Sequence, residues 1–195
     1  MRILGGLLAA ACLALVGGCG EEEEEERVEG DGYSYAVPDG WRDVSDEAED
    51  EPGLEVAGIG PDTLVVGERE DGFATNVNVI LEPGLPGGIT LPEYADITID
   101  GLRDPEAAGF PPELVQTIES LDPRGITAPR DAELGDEEAL AWDFTSTQEG
   151  RDLRIRQLST VVDGTGYNVT LTALPQQRDE GLDALGQVTD SWRFE

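Results

Sequence analysis

Between Leu140 and Ala173 the chain alternates apolar and polar residues in three successive runs, separated by two glycine-bearing turns. Leu140, Trp142 and Phe144 mark the first run and Leu153 and Ile155 the second. Tyr167, Val169, Leu171 and Ala173 mark the third. A period of two is the signature of a strand with one face buried, and no helix satisfies it. Gln148-Glu149-Gly150 and Asp163-Gly164-Thr165-Gly166 carry the residues that tight hairpins need. This stretch therefore commits the chain to an antiparallel meander. If Glu149-Gly150 is a two-residue loop, Phe144 lies opposite Ile155 and Asp143 opposite Arg156. A two-residue loop at Gly164-Thr165 would then put Tyr167 and Ile155 on opposite faces. Either that loop has an odd length, or a strand carries a bulge, or both sheet faces are covered by helices.

The remainder fits around this meander. In YSYAVPDGW, Tyr33, Tyr35 and Val37 alternate before the turn at Pro38-Asp39-Gly40, and Trp41 and Val44 follow as core candidates. The segment 45–53 is too polar to pack and reads as a surface turn or short helix. Leu64-Val65-Val66 and Asn76 to Leu81 read as strands separated by a loop from Glu68 to Gly72; 82–88 is a Gly/Pro loop. Thr90-Leu91-Pro92-Glu93 has the spacing of a capping box, which opens a helix with Leu91, Tyr94, Ala95 and Leu102 on one face. The β-branched Ile97-Thr98-Ile99 weakens that helix. Residues 104–132, rich in proline and acid, predict an excursion over the surface with a short helix around Glu113 to Ser120. Leu182, Leu185, Val188 and Trp192 predict a final helix, and Trp192-Arg193-Phe194 a short terminal strand. Runs of strands punctuated by a few helices, with no repeat and no second core, give a single α+β domain.

The N-terminus has a different logic. Arg2 precedes an apolar run from Ile3 to Val16, which at 14 residues is too short to span a bilayer, for which roughly 20 are needed. Val16-Gly17-Gly18-Cys19 then resembles a lipobox. The chemistry implied is thioether attachment of a diacylglycerol to Cys19, cleavage after Gly18, and acylation of the new amine. Cys12 fits less well, because Ala9 stands where a branched aliphatic is wanted. A plain secretory signal cut near Gly18 or Gly20 is the alternative. Residues 1–18 are thus read as a lipoprotein signal peptide, 19–31 as an acidic disordered tether, and 32–195 as the globular domain. The tether contains Glu21 to Glu26, a self-repelling spacer. With its continuation to Gly32 it reaches roughly 40 Å at about 3.3 Å per residue. The expected location is the extracytoplasmic face of the cell membrane.

Charge narrows the partners. All 12 basic residues are arginine, and there is no histidine. After loss of Arg2, 11 arginines face 43 carboxylates, a formal charge of −32. Nucleic acid, whose phosphates must be neutralised by cations, is excluded as a partner. Adsorption of the domain to an anionic membrane surface is disfavoured too. Adaptation to high salt is a second account of the acidity, less favoured because the signal lacks twin arginines.

The order YSYAVPDGW, TNVNVILEP, LPEYADITIDGL, then EEALAWDFTSTQEGRDLRIRQLSTVVDGTGYNVTLTA and LDALGQVTDSW resembles the PsbP-like superfamily. Within it, the pattern is similar to the LpqN/LpqT group of actinobacterial lipoproteins. The resemblance covers about residues 32–195 and implies a twisted antiparallel β-sheet flanked by helices. It also implies accessory and binding roles rather than a general catalytic activity; separately, no cofactor is expected. The long segment 104–132 departs from the pattern. Fold kinship alone does not establish function.

The residues for most covalent chemistry are missing. Without histidine there is no Ser-His-Asp triad and no His-rich zinc site; without lysine there is no Schiff base. Acylation of Cys19 would remove the last thiol. No phosphate-binding loop or dinucleotide fingerprint is present. Among 43 acids, carboxylate pairs arise by accident and signal nothing. Three residues are candidate contacts. Arg154 and Arg156 in RDLRIR project from one strand face, able to clamp an anionic headgroup or a partner's carboxylates. The simpler account pairs Arg156 with Asp143 and Arg154 with another acid. Trp41, with Tyr33, Tyr35 and Trp142, could line a lipid or glycan pocket, although aromatics at strand spacing are more often core. The leading expectation is a membrane-anchored, non-catalytic accessory module that binds envelope proteins; a carrier of an apolar or glycolipid ligand is the alternative.

Overall fold

A computed structural model describes residues 26–48, 61–108, 112–148 and 150–195. Along the chain run β1 (Arg27–Gly30), β2 (Tyr33–Ala36), β3 (Arg42–Asp43), α1 (Ser45–Ala48), β4 (Thr63–Glu70) and β5 (Phe73–Pro83). There follow α2 (Leu91–Arg103), α3 (Pro112–Leu121), β6 (Arg130–Leu134), β7 (Glu137–Gln148), β8 (Arg151–Val162) and β9 (Thr165–Ala173). A 3-10 turn at Pro175–Gln177 leads into α4 (Arg178–Ser191) and β10 (Arg193–Phe194). Among the described residues these strands form two antiparallel sheets. One has seven strands in the order β3-β4-β5-β9-β8-β7-β6, and the other three in the order β1-β2-β10. The molecule is a single α+β domain, as its sequence implied.

The first hairpin has the register that the arithmetic requires, and the second turns one residue earlier than the Gly164-Thr165 loop considered from the sequence. Asp143 pairs with Arg156 and Phe144 with Ile155 across the first hairpin. Between β8 and β9 the loop is Asp163-Gly164, with both residues at positive φ (50° and 80°), the geometry of a two-residue hairpin that follows strand twist. Thr160 therefore faces Tyr167 while Ile155 faces Thr172, so Tyr167 and Ile155 do lie on opposite faces. The third alternative holds: both faces are covered. On one face α2 lays Ala95 and Ile99 against Trp142, Phe144 and Ile155. On the other, α4 and the three-stranded sheet bury Val65, Val77, Val169 and Leu171 beneath Tyr33, Tyr35, Leu185, Val188 and Trp192.

The helix of residues 91–103 forms despite its β-branched run. Thr90 Oγ1 accepts the Glu93 backbone N–H, and the Glu93 carboxylate accepts the Thr90 N–H at 2.9 Å, closing the capping box. Ile99 points into the core while Ile97 is half-exposed. Two spans differ from expectation. The loop expected from Glu68 to Gly72 is only Asp71-Gly72, because β4 continues to Glu70 through a bulge between Val66 and Arg69. The globular domain also starts before residue 32: Arg27 to Gly30 pair with Ala36 to Tyr33, and Val28 is buried. The tether expected over 19–31 thus loses its last part to the sheet, because Val28 supplies a core contact that polar neighbours hide. The rest of that span, up to residue 25, lies outside the described residues. So does most of 45–53, but α1 is the short helix expected at its start.

Within 104–132, α3 is the helix expected near Glu113 to Ser120. The segment then returns as an unforeseen edge strand: β6 pairs with β7 through Arg130↔Ala141 and Leu134↔Glu137. Gly135, at φ 58°, turns between them, and a Cβ there would stand 2.8 Å from the Trp192 carbonyl oxygen. Backbone thus passes so close to backbone that only glycine fits.

Candidate functional site

Of the residues singled out by sequence, Val16, Gly17, Gly18 and Cys19 lie outside the described residues. Tyr33, Tyr35 and Trp142 are wholly buried and belong to the core, so they line no pocket. Trp41 is half-buried over Gly67, whose missing side chain makes room for the indole ring. These aromatics pack within the core and against the sheet.

The arginines behave differently. Arg156 grips Asp143 with two parallel bonds, Nε to Oδ1 at 2.9 Å and Nη2 to Oδ2 at 3.2 Å. Arg130, on β6, reaches Oδ2 of the same carboxylate at 2.8 Å, and Arg178, the first residue of α4, approaches Oδ1 at 3.7 Å. Strand pairing explains the convergence. Asp143 and Arg156 are opposite partners, while Arg130 pairs with Ala141, two residues away on the same face. The chain then leaves β9 through the turn at Pro175–Gln177, which delivers Arg178 to that end of the sheet. Gln177 anchors the turn by accepting a hydrogen bond from Thr75 Oγ1 at 2.9 Å. Arg154 sits two residues from Arg156 on the same face, between Thr145 and Ala173. It has no hydrogen bond or ion pair among the described residues, contrary to the expectation of a second acid.

Burial disfavours the Asp143 carboxylate, but the hydrogen bonds and charges of Arg156 and Arg130 outweigh it and hold its pKa below the usual aspartate range. A depressed pKa stabilises the fold above the unfolded value of about 3.8 and ceases to do so as pH falls through the folded value. At neutral pH the cluster is therefore intact, with three guanidiniums around one carboxylate. They remain open to water, with side-chain exposures of 44% for Arg130, 26% for Arg156 and 37% for Arg178. Sequence reasoning found Arg154, Arg156 and Asp143 through the hairpin. It missed Arg130 and Arg178, which come from elements with no local signal for this place.

A second polar group lies beneath α2. The Asn168 side chain accepts from Gln157 Nε2 at 3.0 Å and from Ser159 Oγ, and its amide donates to the Tyr94 hydroxyl at 2.6 Å and to Glu82 Oε1 at 3.2 Å. Gly166 leaves the space that the Tyr94 hydroxyl occupies. This network satisfies a buried polar strip and accounts for Asn168 structurally. Burial pushes the Glu82 carboxyl above its ordinary value, which the bonds from Tyr94 and Asn168 only partly offset. A raised carboxyl pKa makes the fold lose stability as pH climbs from about 4.5 through the folded value. Glu82→Gln keeps an acceptor for Asn168 and removes the desolvated charge. We expect it to raise the urea midpoint at pH 7 and to lose that advantage near pH 4. A midpoint at pH 7 equal to or below that of the parent would refute this account.

A groove of about 610 Å³ lies near the start of α2, lined by Leu91, Pro92, Ala132, Ala139 and Leu140 together with Asp131, Glu133 and Glu138. Three carboxylates in its wall make it a poor receptacle for an apolar chain. Among the described residues, Ile97 is the one large hydrophobic side chain that stands mostly exposed.

No family model matches the sequence, and no curated protein does. Solved structures do resemble it. LpqN of Mycobacterium tuberculosis, described as involved in cell envelope biogenesis, superposes with a TM-score of 0.51 at 16% identity, over 88% of this chain and 86% of that one. The cyanobacterial PsbP of Synechocystis sp. PCC 6803 gives 0.58 at 15% identity, over 92% and 99%. A protein of unknown function from Pseudomonas aeruginosa gives 0.51 at 14%, over 86% and 94%. At these identities the likeness shows the fold, which is PsbP-like.

Proposed function

We propose that this chain is a lipid-anchored protein of the extracytoplasmic membrane face, a non-catalytic accessory module that binds other proteins of the cell envelope. The observation that carries this reading is Val16-Gly17-Gly18-Cys19, placed directly after a short apolar run and before six glutamates. The folded domain is under way by Arg27, so on this reading the sequence from Cys19 to Glu26 joins anchor to domain. The envelope role of LpqN, which shares the fold, agrees with it. Anchoring needs more than one chain: at about 0.8 kcal/mol per buried methylene, a diacylglycerol plus an amide-linked acyl group holds where one chain does not. The carrier alternative is weakened because the aromatics that would line its pocket fill the core.

The test is the chemical state of Cys19. Cells given labelled palmitate should incorporate it into the full chain, and the mature N-terminal peptide should begin at Cys19 with the mass of three acyl groups or two. An unlabelled chain beginning at Gly20 or Glu21 would sink the anchor. A reproducible small-molecule adduct on protein taken gently from its own envelope would instead favour the carrier.

A further inference from the structure

In a chain of −31 formal charge, one sheet face gathers Arg130, Arg156 and Arg178 around a single carboxylate, with Arg154 two residues from Arg156 on the same face. Asp179 lies 3.9 Å from the other terminal nitrogen of Arg178 and is itself fully in solvent. A structural ion pair would need one partner for Asp143, and Arg156 already supplies it in bidentate form. Arg130 and Arg178 add charge that one carboxylate cannot neutralise, and Arg154 adds a guanidinium engaged with nothing among the described residues. Like charges so placed repel one another, at a cost a merely structural cluster would avoid.

The chemistry left over is specific. Arg156 and Arg154 stand at alternate positions of one strand, about 7 Å apart, so both forks can turn to an ion seated between them. Asp143 holds Arg156 and Arg130 in place, and both side chains keep part of their surface open to water. Guanidiniums, with planar forks and weaker hydration than ammonium, suit bidentate recognition of oxyanions. We propose that this face binds a tetrahedral oxyanion of the phosphate class, either as the free ion or as the phosphate of a lipid headgroup. A phosphate neutralises the excess charge and supplies acceptors on several sides, as a single carboxylate cannot. The site stands independently of the Cys19 anchor, since it rests on the described sheet alone.

The experiment is calorimetric titration of the full chain in a non-ionic detergent at low salt. Three probes are used: inorganic phosphate, dihexanoyl-phosphatidylglycerol below its micellar concentration, and dihexanoyl-phosphatidylcholine as the zwitterionic control. The parent should bind at least one of the first two and bind the third more weakly. Arg154→Gln should weaken that binding by about tenfold or more, the worth of one charge-assisted contact, without lowering the thermal unfolding midpoint. Arg103→Gln, remote and exposed on α2, should bind as the parent does. Phosphate binding with indifference to the lipid assigns a free ion, and preference for phosphatidylglycerol assigns a headgroup. No binding of either anionic probe, or parental affinity in Arg154→Gln, overturns the proposal.

Discussion

Replacing Trp192 by alanine should lower the unfolding free energy by about 3–5 kcal/mol, the range for truncating a large buried aromatic. Trp192 is buried at the junction of α4, the small sheet and β9. Its ring lies parallel to Tyr33 with centroids 4.4 Å apart and nearly parallel to Tyr35 at 5.5 Å. Tyr167 and Phe194 meet it at 6.5 and 5.7 Å. Such contacts add about 0.5–1.5 kcal/mol per pair beyond the area buried. The two tyrosine hydroxyls are pinned to Thr63 Oγ1, at 2.8 and 3.1 Å, so these rings cannot collapse into the gap without losing buried hydrogen bonds. That rigidity favours the upper part of the range. For a domain of this size the thermal midpoint should fall by roughly 6–20 °C. Trp41→Ala, on a half-buried ring, should cost markedly less. Equal losses for the two variants in urea unfolding would show that the aromatic stack is not the keystone described here.

What the sequence disclosed, and what it withheld, follows the range of the forces involved. Hairpin registers are local, so alternation and turn residues were enough to place Asp143 opposite Arg156. Alternation also exposed the disagreement between Ile155 and Tyr167, and the structure resolves it by covering both faces. The helix at Leu91–Arg103 was legible from its capping box, a four-residue signal. By contrast, β6 reads Arg-Asp-Ala-Glu-Leu and is mostly charged, because an edge strand beside water needs few apolar residues. Only Leu134 is fully buried there. Arg130 and Arg178 join the anion site from distant parts of the chain, and no spacing along it can announce such a meeting.

The same limit explains the boundary of the domain, and it yields the second large effect. A chain beginning at Glu26 should fold as stably as the full chain, whereas one beginning at Asp31 should lose about 3 kcal/mol or more. The longer deletion removes Val28, a core residue whose burial is worth roughly 1.5–3 kcal/mol. It removes Arg27 as well, which donates to Ser34 Oγ and to the Ser191 carbonyl, both at 3.1 Å. A charged donor to partly buried acceptors contributes about 1.5–3 kcal/mol. The Glu26 carbonyl also takes the Val37 N–H at 2.8 Å, so loss of β1 turns β2 into an open edge. Hydrophobic patterning could not have found this strand, since Arg-Val-Glu-Gly offers one apolar side chain after a run of six glutamates. Urea unfolding of the two truncated chains decides the matter, and Val28→Ala in the full chain separates the core contact from the strand pairing. Were the Asp31 chain as stable as the Glu26 chain, β1 would be dispensable and the tether would run to residue 31. If instead β1 is needed, the anchor proposed at Cys19 would be joined to the fold by the stretch to Glu26 alone, a reach of roughly 25 Å at full extension.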